Sequence, residues 1–436
     1  MGDVYGFVFL LMVVLYTVAG VYKGGRRYIQ AKTHSHVSVS SSPAFKRFQL
    51  QFLLVYFLAM AADWMQGPYV YRLYSFYGLS RREGGLLFIV GFGSSLLLGT
   101  WVGPFADMCG RRTVCLLYCL VYALSCATKH VNSFPVLVVG RLLGGVATSL
   151  LWSAFESWMI SEHHTRGYDP AWLGETFSRM TVGNGLVAVL SGLVAQWAAD
   201  AFSHPVAPFD LSAALLMLCF AVVAVRWPEN YGAPQANLWR QMVSASTAVR
   251  DDYRILLTGV QQSLFEGAMY AFIFFWTPAL ETAGAVPHGL VFASFMLALS
   301  LGGLVFDLSI ERVVAWMPVL YMVAAATMVA LSHTESRAGK MAAMTVFEAV
   351  VGFFWPCIAT LRAAYVPEEC RASVMSLFRA PLNALVCLIL FVQGTMALQS
   401  VFLLCALLHA AAALAAVLLR AFVGPPRRGD HILRGV

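Results

Sequence analysis

Charge is scarce in this chain. Only 12% of its 436 residues are Asp, Glu, Lys or Arg, against about 25% in an average soluble domain. Hydrophobic residues reach 59%, and the mean hydropathy is +0.71. A soluble protein of that composition would expose large apolar patches and aggregate. Disorder, collagen and coiled coil need a polar or strictly repeating composition, which is also missing. A polytopic membrane protein remains, with lipid as its outer solvent.

Other absences narrow the function. There is no GxSxG elbow, no P-loop and no HExxH, so neither an enzyme nor an ATP-driven pump is expected, and no cofactor. Secondary transport or facilitation is left. The nine cysteines form no CxxC pair and fall mostly in apolar segments, where they read as small core residues. His34 and His36 lack further ligands nearby, so no metal is expected. No Asn-x-Ser/Thr sequon occurs, and Met1-Gly2 lacks the Ser or Thr that myristoylation requires. A net charge of +7 would suggest nucleic acid if the basic residues were spread, but they concentrate in one set of loops. No nucleic-acid partner is expected; membrane lipids are.

A spanning helix needs about 20 mostly apolar residues. One such stretch covers residues 4–21. Twelve more cover 49–74, 84–106, 112–129, 134–160, 175–199, 205–227, 253–280, 287–308, 313–332, 340–365, 372–395 and 398–422. The first has no basic residue before its apolar run, unlike a secretory signal, and reads as a retained extra helix. The expected organisation is an extra helix at 1–22, a cytoplasmic linker at 23–48, a bundle at 49–227, a cytoplasmic segment at 228–252, a second bundle at 253–423 and a tail at 424–436.

Loop charge sets the orientation. With the Arg111-Arg112 loop taken as cytoplasmic, outer loops hold six of the 29 basic residues: Arg72, Arg81, Arg82, Lys129, Arg337 and Lys340. Arg141, Arg179 and Arg379 lie inside spans, and the remaining 20 are cytoplasmic. The C-terminus is therefore expected in the cytoplasm and Met1 outside, most naturally at the plasma membrane.

The core also repeats. Gly103-Pro-Phe-Ala-Asp107-Met-Cys-Gly110-Arg111-Arg112 has a counterpart 200 residues on, Gly303-Leu-Val-Phe-Asp307-Leu-Ser-Ile310-Glu311-Arg312. Arg179 and Arg379 are again 200 apart, and Asp63 and Glu266 are 203 apart. Two parallel six-helix halves follow, a hallmark of one large transporter fold.

The first copy, G-x-x-x-D-x-x-G-R-R, resembles the signature of the major facilitator superfamily between helices 2 and 3. Gly103 permits close helix approach, Asp107 caps or pairs, Gly110 turns the chain, and Arg111 and Arg112 meet lipid phosphate or partner carboxylates. The second copy departs at Ile310 and Glu311, and Asp307 and Arg312 are its expected gating residues. Glu156 is assigned to the charge network of the first turn.

At finer grain the chain resembles the molybdate-anion transporter family. Phe48-Gln-Leu and Tyr56 to Tyr69 in helix 1, Gly140-Arg-Leu-Leu-Gly-Gly145 and Trp152 to Trp158 in helix 4 carry the resemblance. Leu264-Phe-Glu266 with Trp276-Thr-Pro278, and Phe378-Arg379-Ala-Pro381-Leu, complete it. It runs from about residue 44 to 423. It implies an all-α major facilitator fold, two pseudo-symmetric six-helix bundles plus the extra N-terminal helix. It also implies molybdate or a similar oxyanion as substrate.

Ionisable residues at mid-span are costly, about 2.5–3.5 kcal/mol each on insertion scales, so each is a functional hypothesis. Arginine suits a tetrahedral dianion because its planar fork offers two donors and never loses its charge. Arg179 and Arg379 are accordingly the expected substrate ligands, with Asn184 and Asn383 a turn or so later. Asp63 and Glu266, on the helices that line the cavity in this fold, are the expected proton sites. Static pairing of these carboxylates with the arginines is the alternative. Arg141 and Glu348 fit either a cavity-mouth pair or helix glue. The expected function is import of an oxyanion by alternating access. A neutral solute such as a sugar, bound through Gln261 and Gln262, or a non-transporting scaffold or receptor on the same fold, are the alternatives.

Overall fold

The computed structural model describes residues 4–33, 42–232, 238–282, 284–309, 313–367 and 370–423, and among these there is no strand. In chain order the helices are α1 (Val4–Thr33), α2 (Pro43–Gln66), α3 (Val70–Phe76), α4 (Arg81–Cys109), α5 (Arg111–Ala127), α6 (Phe134–Thr165), α7 (Pro170–Ala201) and α8 (Ala207–Arg226). They continue with α9 (Leu238–Asp251), α10 (Tyr253–Glu281), α11 (His288–Ser309), α12 (Val313–His333), α13 (Arg337–Tyr365), α14 (Arg371–Val392) and α15 (Leu398–Val423).

Eleven candidate membrane spans, each long and apolar enough to cross a bilayer, occur among the described residues. Helix α10 is long enough but carries Gln261, Gln262 and Glu266, all three buried. Its polarity is buried in protein and not exposed to lipid, and Gln261 Oε1 and Glu266 Oε1 accept no hydrogen bond among the described residues.

Helix starts follow the sequence. Ser80 and Glu83 form a reciprocal capping box at the start of α4. Ser42, Asp169, Asp252 and Ser336 accept from the first-turn amides of α2, α7, α10 and α13. Gly110 separates α4 from α5 with φ +96°, a conformation that favours glycine. The turn is shorter than its motif: α4 runs on to Cys109, so the backbones of Gly103 and Asp107 are helical. The segment at 228–252 likewise contains a helix, α9, whose buried Ala245 packs with Ile255, Val366, Val374 and Phe378.

Contacts divide the chain into two units. One comprises Met1–Thr33, Asn237–Val286 and Ser294–Val436; the other comprises His34–Ala236 and Pro287–Ala293. The second unit is cored by aromatic side chains, with Trp158 and Trp227 stacked at 3.7 Å between ring centroids. In the first, Phe265 stacks on Phe354 at 3.9 Å, and His409 is enclosed beside Phe265 and Phe347.

Each unit also contains a helix crossing built on backbone contact. A Cβ on Gly145 of α6 would collide with Ser94 and the carbonyl of Gly91 on α4. A Cβ on Gly302 of α11 would strike the carbonyl of Ala349, and one on Gly352 of α13 that of Leu299. Small residues let helices approach to backbone distance where lipid supplies no hydrophobic drive. The α4–α6 and α11–α13 crossings are thus built in the same way.

Candidate functional site

In the first unit, Glu266 sits on α10 and is only 4% exposed. The charges of Arg362 on α13 and Arg379 on α14 both act on it, and Gln262 stands one turn before it. The guanidinium of Arg362 donates to Gln262 Oε1 at 3.3 Å. Glu266 thus lies in the electrostatic field of one expected residue, Arg379, and of Arg362, whose hydrogen bond goes to Gln262. By sequence Arg362 falls near the end of a span, on the side the loop charges assign to the cytoplasm. Asn383 is engaged locally, its amide donating to the backbone carbonyl of Arg379 at 2.8 Å.

In the second unit, Asp63 of α2 accepts from the hydroxyl of Tyr122 on α5 at 2.7 Å. The next residue, Trp64, donates its indole N–H to Asn184 Oδ1 on α7 at 2.8 Å. Arg179 is exposed and donates to Glu175 Oε1 one turn earlier on α7, at 2.6 Å. The hydrogen bonds of Asp63 and Arg179 thus go to Tyr122 and Glu175 and not to each other. An i, i+4 pair such as Glu175–Arg179 is legible from spacing alone; Tyr122 is not.

The turn at Gly110 has a carboxylate partner, but a different one from that expected. Glu229, just beyond α8, accepts from the backbone amides of Arg112 at 2.8 Å and Thr113 at 3.1 Å, and from the Thr113 hydroxyl at 2.7 Å. A carboxylate here satisfies orphan amides and faces the positive end of α5. The Arg112 guanidinium donates to the carbonyl of Ala224 at 2.7 Å, and Arg111 N–H donates to that of Asn230 at 2.9 Å. Glu156 is exposed and acts electrostatically on Tyr56. Arg111 also lines an open groove of about 400 Å³ with Ser157, Ser161, His164 and Tyr231.

Of the second motif copy, Asp307 pairs with Lys23 of α1. Arg312 lies outside the described residues, as do His34 and His36 and the side chains of Gly103 and Asp107. All nine cysteines are free thiols; Cys109 is exposed, Cys387 half-buried and the other seven are buried.

Against known proteins, a family model described as sugar transporters with twelve transmembrane segments matches residues 10–351. The molybdate-anion transporter of Xenopus tropicalis is 36% identical over 426 residues, covering 92% of each chain. The protein of the same name from Danio rerio is 33% identical over 80% of this chain and 79% of its own. The chain belongs to the molybdate-anion transporter family of the major facilitator superfamily.

Solved structures agree on the fold. A mutant of the nucleoside transporter NupG superposes with a TM-score of 0.68 at 15% identity, covering 85% of this chain and 99% of that one. A bacterial homologue of the human lysosomal transporter Spinster, crystallised inward-facing and unoccupied, gives 0.64 at 17% identity over 88% and 97%. The family member is a multi-pass membrane transporter on a major facilitator fold, and not an enzyme.

Proposed function

We propose that the protein imports molybdate or a similar oxyanion by secondary active transport with alternating access. The observation that carries this reading is 36% identity over 92% of the chain to proteins named molybdate-anion transporter. Arg179 with Asn184, and Arg379 with Asn383, bind the anion, while Asp63 and Glu266 carry protons. The halves are 49–227 and 253–423, the C-terminus is cytoplasmic, and the membrane is the plasma membrane. The first turn closes the cytoplasmic side through Gly103, Asp107, Gly110, Arg111, Arg112 and Glu156, with Glu229 as its carboxylate; Asp307 and Arg312 serve the second.

Chemistry supports the assignment. Arg179 is exposed and ion-paired with the neighbouring Glu175, an arrangement a dianion can compete with. In the other unit, two guanidinium groups act on the buried carboxylate Glu266. That cluster holds a surplus of positive charge, which suits an anion and is wasted on a sugar.

The test is uptake of labelled molybdate into proteoliposomes holding the full chain, with sulfate and a hexose as competitors. Saturable uptake that sulfate reduces and the hexose leaves alone supports the reading. Uptake of the hexose, with molybdate inert, overturns it in favour of a neutral solute.

A further inference from the structure

A second group of cations lies in the unit His34–Ala236, away from Arg179. Lys129 follows α5 and is 2% exposed, yet its ammonium has no hydrogen-bond partner among the described residues. Its neighbour in space is Arg141 of α6, and the two like charges act on each other. Arg141 spends its Nε–H on the carbonyl of Leu87 at 3.2 Å and lies 4.6 Å from the ring centre of Phe88. Lys129 stands 5.9 Å from the ring centre of Tyr74, whose hydroxyl is also buried.

Both cations occupy seats hollowed by glycine. A Cβ on Gly140 would come within 2.9 Å of Lys129 Nζ. A Cβ on Gly91 would come within 2.6 Å of an Arg141 nitrogen and 3.0 Å of its guanidinium carbon. Alanine at Gly91 would press on the guanidinium, and alanine at Gly140 would strike the Thr128 hydroxyl before it reached the Lys129 amine. The nearby carboxylates are committed elsewhere, Asp63 to Tyr122 and Asp210 to His130 at 2.6 Å.

An unpaired buried ammonium costs several kcal/mol, and a like charge beside it adds repulsion. Two fitted seats that concentrate such a cost call for a compensating negative charge. A guanidinium fork beside an ammonium offers planar and point donors together, the combination that grips a compact tetrahedral anion. We propose that Lys129 and Arg141 form a second seat for a small inorganic oxyanion, at the end of the bundle that the loop charges assign to the outside. Its role is an arrival point that holds the anion before it reaches Arg179. The role, though not the seat, rests on the molybdate reading.

The experiment uses the purified full chain in detergent micelles. Thermal unfolding is followed against molybdate and sulfate, with gluconate matching ionic strength. The reference is the double variant Arg179→Gln/Arg379→Gln, which removes the first site. Molybdate or sulfate should still raise its Tm in a saturable way. Adding Lys129→Met should weaken the apparent affinity at least about tenfold, while the anion-free protein becomes no less stable. Lys129→Gln serves the same comparison where the methionine variant does not fold. An equal anion-induced shift with and without Lys129 overturns the seat, and so does a double variant that no anion stabilises. Should the shift persist and depend on Lys129 while proteoliposomes take up no molybdate, the seat stands and the substrate reading falls.

Discussion

Lys23, near the end of α1, forms an ion pair with Asp307 at the end of α11. Asp307 is the counterpart of Asp107, and its motif copy carries Ile310 and Glu311 where the first has Gly110 and Arg111. Helix α1, which lies outside the repeat, thus brings a cation to the copy that has lost one. Most of α1 is otherwise exposed; Tyr5 and Met12 are its buried large side chains, and Tyr5 lies 6.0 Å from the guanidinium of Arg337.

That pairing predicts a small, salt-sensitive effect. Lys23→Ala and Asp307→Asn should each lower stability by no more than about 1 kcal/mol, because both partners are partly exposed. The swap Lys23→Asp/Asp307→Lys should recover most of the loss at low salt and none of it in 1 M salt. Thermal unfolding at two ionic strengths reads the outcome; equal losses in both would count against the pair.

Gly302 and Gly303 make a controlled comparison. A Cβ on Gly302 would meet the carbonyl of Ala349, whereas on Gly303 the nearest atom lies 3.8 Å away. Gly302→Ala should therefore destabilise by about 1–3 kcal/mol as α11 and α13 are forced apart. Gly303→Ala should be neutral or stabilising by up to about 1 kcal/mol, the helix-propensity gain of alanine. Tm values for the two variants in one detergent decide it.

Much of the fold was legible because lipid demands long apolar helices, and the turn at Gly110 because its φ favours glycine. The caps at Ser80, Asp169 and Asp252 are local too, each a Ser or Asp just before its helix whose side chain accepts a first-turn amide. The site was less legible. Glu229 sits 117 residues from Arg112, and Tyr122 sits 59 from Asp63, and nothing in local spacing links them. Arg362 falls near a span end, where charge normally marks a loop, so its place beside Glu266 shows only when α10 and α13 pack. Helix α9 was hidden by its polarity, since hydropathy finds membrane helices and passes over amphipathic ones.

Asp252, outside the spans, gives a pH dependence of definite sign. Its carboxylate accepts from Arg254 Nη2 at 2.7 Å and Nε at 3.0 Å, and this hydrogen bonding holds its pKa below the usual carboxylate range. A depressed folded-state pKa stabilises above the unfolded value and is lost as pH falls through the folded one. Asp252→Asn keeps an equally good helix cap and removes only the charge. The wild type should exceed this variant by less than about 1 kcal/mol at pH 7, and the gap should close below about pH 4. A gap that widens on acidification would refute the assignment.

The arginines predict a specificity in kind. Arg179→Gln and Arg379→Gln should each cut molybdate uptake by at least about tenfold, the cost of losing one charge-assisted bond, with membrane insertion unchanged. Arg→Lys should recover little, since an ammonium cannot reproduce the two-donor fork. Initial rates in proteoliposomes, normalised to inserted protein, are the measure. Near-normal uptake by the Gln variants would return both side chains to structural roles, Arg179 as the partner of Glu175.

Energy coupling follows from the membrane potential. Moving one elementary charge across 100 mV is worth about 2.3 kcal/mol, so bringing a dianion into a cell that is negative inside costs about 4.6 kcal/mol. Unassisted entry would therefore leave internal molybdate more than about a thousandfold below the external level. Two protons make the step electroneutral, and Asp63 and Glu266 offer one site in each half. In the present structure Asp63 is held by Tyr122, while Glu266 shares the field of Arg362 and Arg379. On the proposed reading, protonating Glu266 releases the field of those arginines to the anion, and its deprotonation inside expels the cargo. Uptake should rise as external pH falls and collapse with a protonophore. Glu266→Gln should keep molybdate–molybdate exchange but lose accumulation driven by a pH gradient. Asp63→Asn should do the same, and Tyr122→Phe should shift the pH profile only while Asp63 is present, a non-additivity a double-mutant cycle detects. Accumulation by wild type that ignores both external pH and the protonophore would make the two carboxylates structural.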